Sequence, residues 1–277
     1  MKILPIFPDN WFYGLIRELA IRGVEIVADR PDAIIVGSIS QLARAEEAAM
    51  ANPGVPVFSY NWDLYEWSRR GKCYDYDAWG RLMRLSREVW HPSECTMRRA
   101  KDWYGLTNGQ VIRTFVPVAH LEGAEPSDNG YALMALRESP DPGRKWFFDA
   151  CAELGIPHRS TDLRLPGETF ADVLAGATLL VNPLREASTG GLFLIEGLSL
   201  GKAALVSASP WNAGREYLGP FNRSPKIDTY ERFRDELRDM WEEKPVHDRL
   251  EASAFIADDF SVSRMADEVM DRLGVKI

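Results

Sequence analysis

The apolar positions of this chain fall into short blocks that alternate with longer amphipathic ones. Lys2–Phe7 reads as a first strand and Trp11–Arg22 as an amphipathic helix; strands at Val24–Ala28 and Ala33–Val36 and a helix at Gln41–Ala51 follow. Val55–Tyr60 is a further buried strand, Trp62–Ser86 a polar, aromatic, helical stretch, and Val89–His91 a short strand. Ser93 stands where an N-cap is needed for a helix running to Tyr104, because its hydroxyl can accept from a first-turn amide. Val111–Val118 (VIRTFVPV) reads as one more strand. Short strands alternating with helices predict parallel sheets covered on both faces.

Ala119–Gly130 interrupts this rhythm. It is polar, rich in turn-forming residues and without apolar period, and so marks a domain boundary. A second alternating unit follows, with a strand at Tyr131–Leu136, a helix at Lys145–Leu154 and a short helix at Thr169–Ala175. A strand at Ala177–Leu184, an apolar helix and a strand at Ala203–Ser207 come next, and Tyr230–Trp241 and Asp248–Leu273 are helical in pattern. The expected organisation is an N-terminal domain over residues 1–120, a C-terminal domain over 121–262, and a terminal helix, 263–277, that could pack back on the first.

Candidate chemistry concentrates in Leu184–Lys202, LREASTGGLFLIEGLSLGK. Gly190 and Gly191 sit at a strand-to-helix junction and carry no Cβ, so backbone can approach a ligand closely. The first-turn amides of the helix then offer partial positive charge to a phosphate. Glu186 precedes the glycines and Glu196 lies within the helix, and carboxylates accept hydrogen bonds from sugar and ribose hydroxyls. An ordinary β-α-β unit with a glycine-eased turn fits this stretch equally well.

Composition narrows the class. With 277 residues, 45% hydrophobic and 27% charged, the chain is expected to be a soluble protein of two compact domains. Cys73, Cys95 and Cys151 are odd in number and far apart, so no disulfide framework is expected. No signal peptide and no run of about 18 apolar residues is evident, which makes the cytoplasm the default location. The four histidines, His91, His120, His158 and His247, have no metal-ligand spacing, and no metal is expected. Asp75-Tyr-Asp77 follows no strand, which argues against a metal role. Gly197-Leu-Ser199-Leu-Gly201 matches the hydrolase nucleophile pattern, but that motif needs a strand before the serine and a helix after it, and here the order is reversed.

These residues resemble a family 4 retaining glycosyltransferase of the GT-B fold. The similarity covers Val89–Leu218 well and the N-terminal part in outline. Val89–Val118 is similar to the family's strand, helix and strand leading to the linker, and Met1–Val27 to its opening strand, loop and helix. Tyr131–Leu154 is similar to the segment carrying an Arg after a strand and a Lys at the next helix start, here Arg137 and Lys145. The family signature is two glutamates eight apart. Glu196-Gly-Leu-Ser-Leu-Gly-Lys202 matches the second, which touches the ribose; eight residues back stands Ser188, and ten back stands Glu186. Glu186 is favoured for the donor sugar, because a carboxylate binds sugar hydroxyls more strongly than a neutral hydroxyl does. The family's glycine-rich first loop is PDNW here, and Asn61 or Asp63 stands near where its histidine usually lies.

The resemblance implies two Rossmann-like α/β domains facing each other across a cleft. It implies metal-independent transfer of a hexose, with retained configuration, from a UDP- or GDP-linked sugar to a hydroxyl acceptor. No cofactor beyond that donor is implied. Arg137, Lys145 and Glu186 would act at the reacting centre, and Ser188, Thr189, Gly190, Gly191, Leu192 and Glu196 would hold the donor. Asn10, Asn61, Asp63, Arg81 and Arg84 would lie on the acceptor side.

Trp67–Lys101 adds a hint about the acceptor. It holds nine Lys/Arg against four Asp/Glu, a local +5 within a chain of net charge −8, interleaved with Trp67, Tyr74, Tyr76, Trp79 and Trp90. Basic and aromatic side chains together suit phosphate backbone and stacked bases, so an anionic acceptor such as hydroxymethylated DNA, or a phospholipid head group, is one expectation. A solvated helix pair with aromatics in the core is the plainer one. Two other classes stay open: a non-catalytic sugar-nucleotide-binding protein, and a nucleic-acid-binding protein using residues 67–101.

Overall fold

The computed structural model describes residues 1–7, 12–61, 76–135, 141–161, 165, 167–185, 191–207, 209, 212–222 and 227–275. In chain order its elements begin β1 (Lys2–Ile6), α1 (Tyr13–Ile21), β2 (Glu25–Ile26), β3 (Ala33–Val36), α2 (Leu42–Ala51) and β4 (Val57–Tyr60). They continue with α3 (Tyr76–Leu85), β5 (Glu88–His91), α4 (Glu94–Tyr104) and β6 (Gly109–Val111). Next come β7 (Ala132–Met134), α5 (Pro142–Leu154), β8 (His158–Ser160), α6 (Phe170–Gly176), β9 (Leu179–Asn182), α7 (Leu192–Ser199) and β10 (Ala204–Val206). The helices α8 (Gly214–Leu218), α9 (Tyr230–Glu243), α10 (Arg249–Phe260) and α11 (Val262–Arg272) complete the chain. They form two compact units, Met1–Phe115 with Asp259–Ile277, and Val116–Asp258.

The first unit is a six-stranded sheet, β2-β1-β3-β4-β5-β6, with every pair parallel. Its central strands are buried on both faces, and their side chains alternate between two cores. Ala33, Ile35, Phe58, Tyr60 and Trp90 pack with Leu15 and Leu19 of α1 and Met265 and Val269 of α11. Ile34, Val36, Val57 and Val89 pack with Ala45 of α2 and Leu82 and Met83 of α3. Pro5 stands inside β1, where a missing amide would break a ladder. Ile3 accepts from Val27 on the β2 side and Ile6 from Gly37 on the β3 side. By alternation Pro5 faces β2, whose register ends at Ile26, so no ladder bond is lost.

Helix α11 docks on α1 through the first of these cores and through charge. Arg22 of α1 pairs with Asp267, and its other nitrogen donates to Ser263 Oγ at 2.6 Å. Arg264 donates to the Arg113 carbonyl at 2.6 Å.

The second unit is a four-stranded parallel sheet, β10-β9-β7-β8. One face carries Ala132, Met134, Leu179, Val181 and Leu205 against Phe147 of α5 and Phe233 and Leu237 of α9. On α7, Gly197 has no Cβ, and one added there would strike Leu180 of β9.

One expectation needs correction, and one strand was not anticipated. Val111–Val118 is not a strand beyond Val111. Among the described residues β6 is the sheet's edge, and Ile112, Phe115 and Val116 are apolar because they are buried in the connection. His158–Ser160, not assigned to any element from sequence, is a strand paired with β7. The terminal helix expected from residue 263 begins at Val262, because Ser261 caps its start by accepting from Arg264 N.

Among the described residues no helix is long and apolar enough to cross a membrane.

Candidate functional site

The site is built around Glu196, in the second unit. Helix α7 is apolar and buries Phe193, Leu194, Ile195 and Leu198, so the helix is pinned beneath its one carboxylate. The close approach of Leu180 to Gly197 fixes the neighbouring backbone. The Glu196 side chain is 13% exposed, and its Oε1 lies 3.2 Å from Nε2 of His120, which is 42% exposed. Burial disfavours the ionised form and pushes the Glu196 carboxyl up to about 7. His120 stands on a single 3-10 turn, Ala119–Leu121, anchored by the buried Leu121. Its ring lies 6.0 Å from that of Phe170, the first residue of α6.

The start of α7 is held by packing. Gly191 is its N-cap, and the first intrahelical bond runs from Leu194 N to the Gly191 carbonyl at 2.9 Å, which leaves the amides of Leu192 and Phe193 as first-turn donors. The space a Gly191 Cβ would take is filled by the buried Tyr217 ring. The glycine is therefore required by a protein side chain.

A polar knot fixes the chain leaving β9. Asn212 Nδ2 donates to the Leu184 carbonyl at 2.7 Å and to Ser207 Oγ at 3.1 Å, while its Oδ1 accepts from Gly214 N at 2.9 Å. Asp141, buried, caps α5 by accepting from Gly143 N at 2.8 Å and also accepts from Arg185 N at 2.9 Å. A Cβ at Gly143 would collide with the Pro183 carbonyl oxygen. The Arg185 guanidinium lies 4.4 Å from the Trp146 ring centre. The first turn of α5, which carries Lys145, is thus bolted to the segment that leads toward Glu186.

Lys145 is 77% exposed and ion-paired with Asp149 one turn along α5. Lys202, at the end of the Glu196 motif, is buried and donates from Nζ to the carbonyls of Ser127 (2.6 Å) and Ala177 (2.7 Å). It ties the linker to the sheet. Ser199 donates to the Glu196 carbonyl at 2.6 Å, and α7 precedes β10, so the order that argued against a hydrolase nucleophile stands. Glu186, Ser188, Thr189, Gly190 and Arg137 lie outside the described residues, as do Asn10 and Asp63.

In the first unit, Asn61 follows β4 and His91 ends β5; both are fully buried, and Asn61 Nδ2 lies 3.1 Å from His91 Nδ1. Desolvation lowers the His91 pKa to about 3, so its ring is neutral. Arg81 is engaged with both carboxylate oxygens of Glu46, at 2.5 and 2.7 Å, whereas Arg84 is exposed in the last turn of α3. Trp79 and Trp90 are core residues, and Tyr76 stacks on Tyr104 with ring centres 4.7 Å apart. The interleaved aromatics in the described part of residues 67–101 therefore pack inward. Trp67 and Tyr74 lie outside it.

Two contributors escaped the sequence reading. His120 sits in the polar segment read as a boundary, and nothing local marks its meeting with Glu196. Asp141 was legible: Asp-Pro-Gly before an apolar-periodic run is an N-cap followed by proline at the first helical position.

Two parallel-sheet Rossmann-like units in one chain, six-stranded then four-stranded, are the GT-B fold. The chain is similar to Anabaena Alr3699/HepE, solved in complex with UDP, with a TM-score of 0.67, 12% identity and full coverage of both chains. It is similar to the lipopolysaccharide outer core galactosyltransferase WaaB, with a TM-score of 0.65, 11% identity and 99% of each chain covered. It is also similar to an alpha-glucosyltransferase solved with UDP and a 13-mer DNA containing an HMU base, with a TM-score of 0.60, 11% identity and 99% of each chain covered. By sequence alone, neither a family model nor a curated protein matches.

Proposed function

We propose that this chain is a retaining glycosyltransferase that moves a hexose from a UDP- or GDP-linked donor to a hydroxyl acceptor without a metal ion. The observation that carries the reading is Glu196, a carboxylate held largely out of water beside a helix start in the second unit of a GT-B fold. Burying a carboxylate is costly unless it gains hydrogen bonds, and the paired hydroxyls of a ribose supply them. A fold hosts many chemistries, so the residue roles support the reading more than the architecture does.

Glu196 would hold the ribose. The α7 first-turn amides, with Ser188, Thr189, Gly190, Gly191 and Leu192, would face the diphosphate. Arg137 and Lys145 would neutralise charge developing on it, the task a metal performs elsewhere. Glu186, or Ser188 in its place, would contact the sugar. In the step itself the bond from the anomeric carbon to the diphosphate oxygen breaks. The acceptor oxygen bonds the same face of that carbon, and its proton passes to the departing phosphate oxygen.

The acceptor would meet the first unit, near Asn10, Asp63 and Arg84. Asn61, which is buried, would support that surface from within, and Arg81 would stand on it paired with Glu46. Hydroxymethylated DNA is the acceptor to try first, given the DNA-bound glucosyltransferase among the similar structures.

The test is nucleotide-diphosphate release from UDP-, GDP- and ADP-sugars, with and without EDTA, with hydroxymethylated DNA, unmodified DNA or no acceptor, alongside Glu196→Ala. Release from one donor, unaffected by EDTA and lost in the variant, is expected. Nucleotide binding without release from any donor points to a non-catalytic binding protein, and absence of binding refutes the site.

A further inference from the structure

We propose that His120 is a positioning residue for the donor: it holds one oxygen of Glu196 so that the other faces the ribose hydroxyls. The inference rests on the donor-binding reading above and assigns a role to a residue outside the Glu196 motif. Its grounds are geometric. Among the described residues His120 is the one polar side chain that meets the Glu196 carboxylate, with Nε2 3.2 Å from Oε1.

The two partners differ in freedom. A glutamate has three side-chain torsions to fix, and a ligand that must order them loses affinity. The imidazole has two, and its backbone is fixed by the 3-10 turn, with Leu121 N bonded to the Val118 carbonyl at 2.9 Å and Leu121 buried. Phe170 flanks the ring. Phe170 is itself held where α6 starts, since Thr169 and Asp172 form a reciprocal capping box. The rigid member of the pair therefore sets the orientation of the flexible one.

The chemistry is equally asymmetric. Nε2 donates when it carries the proton, which occupies lone pairs on Oε1 and leaves Oε2 as acceptor toward a diol. The buried position raises the energy of a free carboxylate, and an imidazole donor offsets part of that cost while a ligand is absent. Burial leaves His120 itself half open to solvent, so it can be replaced without removing core.

The experiment compares affinity for the nucleoside diphosphate that binds best, among UDP, GDP and ADP, with affinity for its 2′,3′-dideoxy analogue. Wild type, His120→Ala, His120→Gln, Glu196→Ala and the His120→Ala/Glu196→Ala double variant are measured by calorimetry. His120→Ala should weaken the ribonucleotide about tenfold and leave the dideoxy analogue unchanged. His120→Gln, which keeps a donor, should recover part of the loss. The double variant should be no weaker than Glu196→Ala. Equal loss for both nucleotides in His120→Ala would overturn the inference, because His120 would then be touching base or phosphate, and so would no loss for either. If His120→Ala binds neither nucleotide, His120→Gln decides: equal loss for both nucleotides in that variant overturns the inference. Wild type that binds none of the three diphosphates would overturn the donor site itself, and the inference with it.

Discussion

Glu196→Gln tests the site in a way that catalysis cannot confound. Burial raises the carboxyl from an ordinary value of 4.5 to about 7. Because the folded value lies above the unfolded one, the folded protein binds the extra proton between those limits. The stability this group contributes is present below about pH 4.5, falls as pH rises toward 7, and is gone above it. At about 1.4 kcal/mol per pKa unit, the ionised carboxylate costs the unliganded fold up to about 3 kcal/mol at pH 8. Glutamine has nearly the same shape and no charge, so the variant should be more stable than the wild type at pH 8. For a domain of this size each kcal/mol moves the melting temperature by about 2–4 °C, which predicts a rise of up to roughly 6–12 °C. At pH 5 most of the difference should vanish, since the native carboxyl is then protonated. The assay is thermal denaturation at both pH values, with and without saturating nucleotide diphosphate. Ligand should stabilise the wild type and do much less for the variant, the pattern of a group kept for binding at the expense of stability. A Glu196→Gln protein less stable than the wild type at pH 8, or equally shifted at both pH values, would refute the account, because burial of the carboxylate would then carry no net cost.

Other substitutions separate support from chemistry. Gly143→Ala forces a methyl into the Pro183 carbonyl and should destabilise the second unit by about 1–3 kcal/mol, read by urea denaturation. Asp141→Ala removes the acceptor for Gly143 N and Arg185 N and should cost about 1–2 kcal/mol, with a parallel loss of nucleotide affinity by calorimetry. Lys202→Met leaves the carbonyls of Ser127 and Ala177 without their ammonium donor and should cost about 1–3 kcal/mol. Its nucleotide affinity should stay unchanged; a weakened affinity in folded protein would place that lysine in the binding site instead. Arg84→Glu should reduce acceptor turnover at low salt and leave donor affinity alone, measured by nucleotide release against acceptor concentration.

Strands were legible where a short apolar block is buried on both faces. AIIV at Ala33–Val36 splits its side chains evenly between two cores, and its composition says so. The same signal misled at Ile112–Val116, since burial against helices looks like burial in a sheet when only one strand neighbours it. Gly191 was read as room for a ligand, and the structure fills that room with Tyr217. Over 67–101 the plainer reading, aromatics in the core, holds for Trp79 and Trp90, whereas nothing local shows that Arg81 meets Glu46, 35 residues earlier. His120 and Glu196 lie far apart in the chain, and only the closed second unit brings them to 3.2 Å.

The route of the chain through its units has a consequence for synthesis. Met265, Val269 and Met270 belong to the core of the first unit, yet they are made after every residue of the second. On the ribosome the second unit holds its full complement of residues while the first still exposes the face of α1 that α11 covers. The usual order of assembly, first domain first, is therefore reversed at its last step. A nascent chain stalled before Asp259 carries a complete second unit and a first unit open along one apolar face, the form a chaperone would recognise.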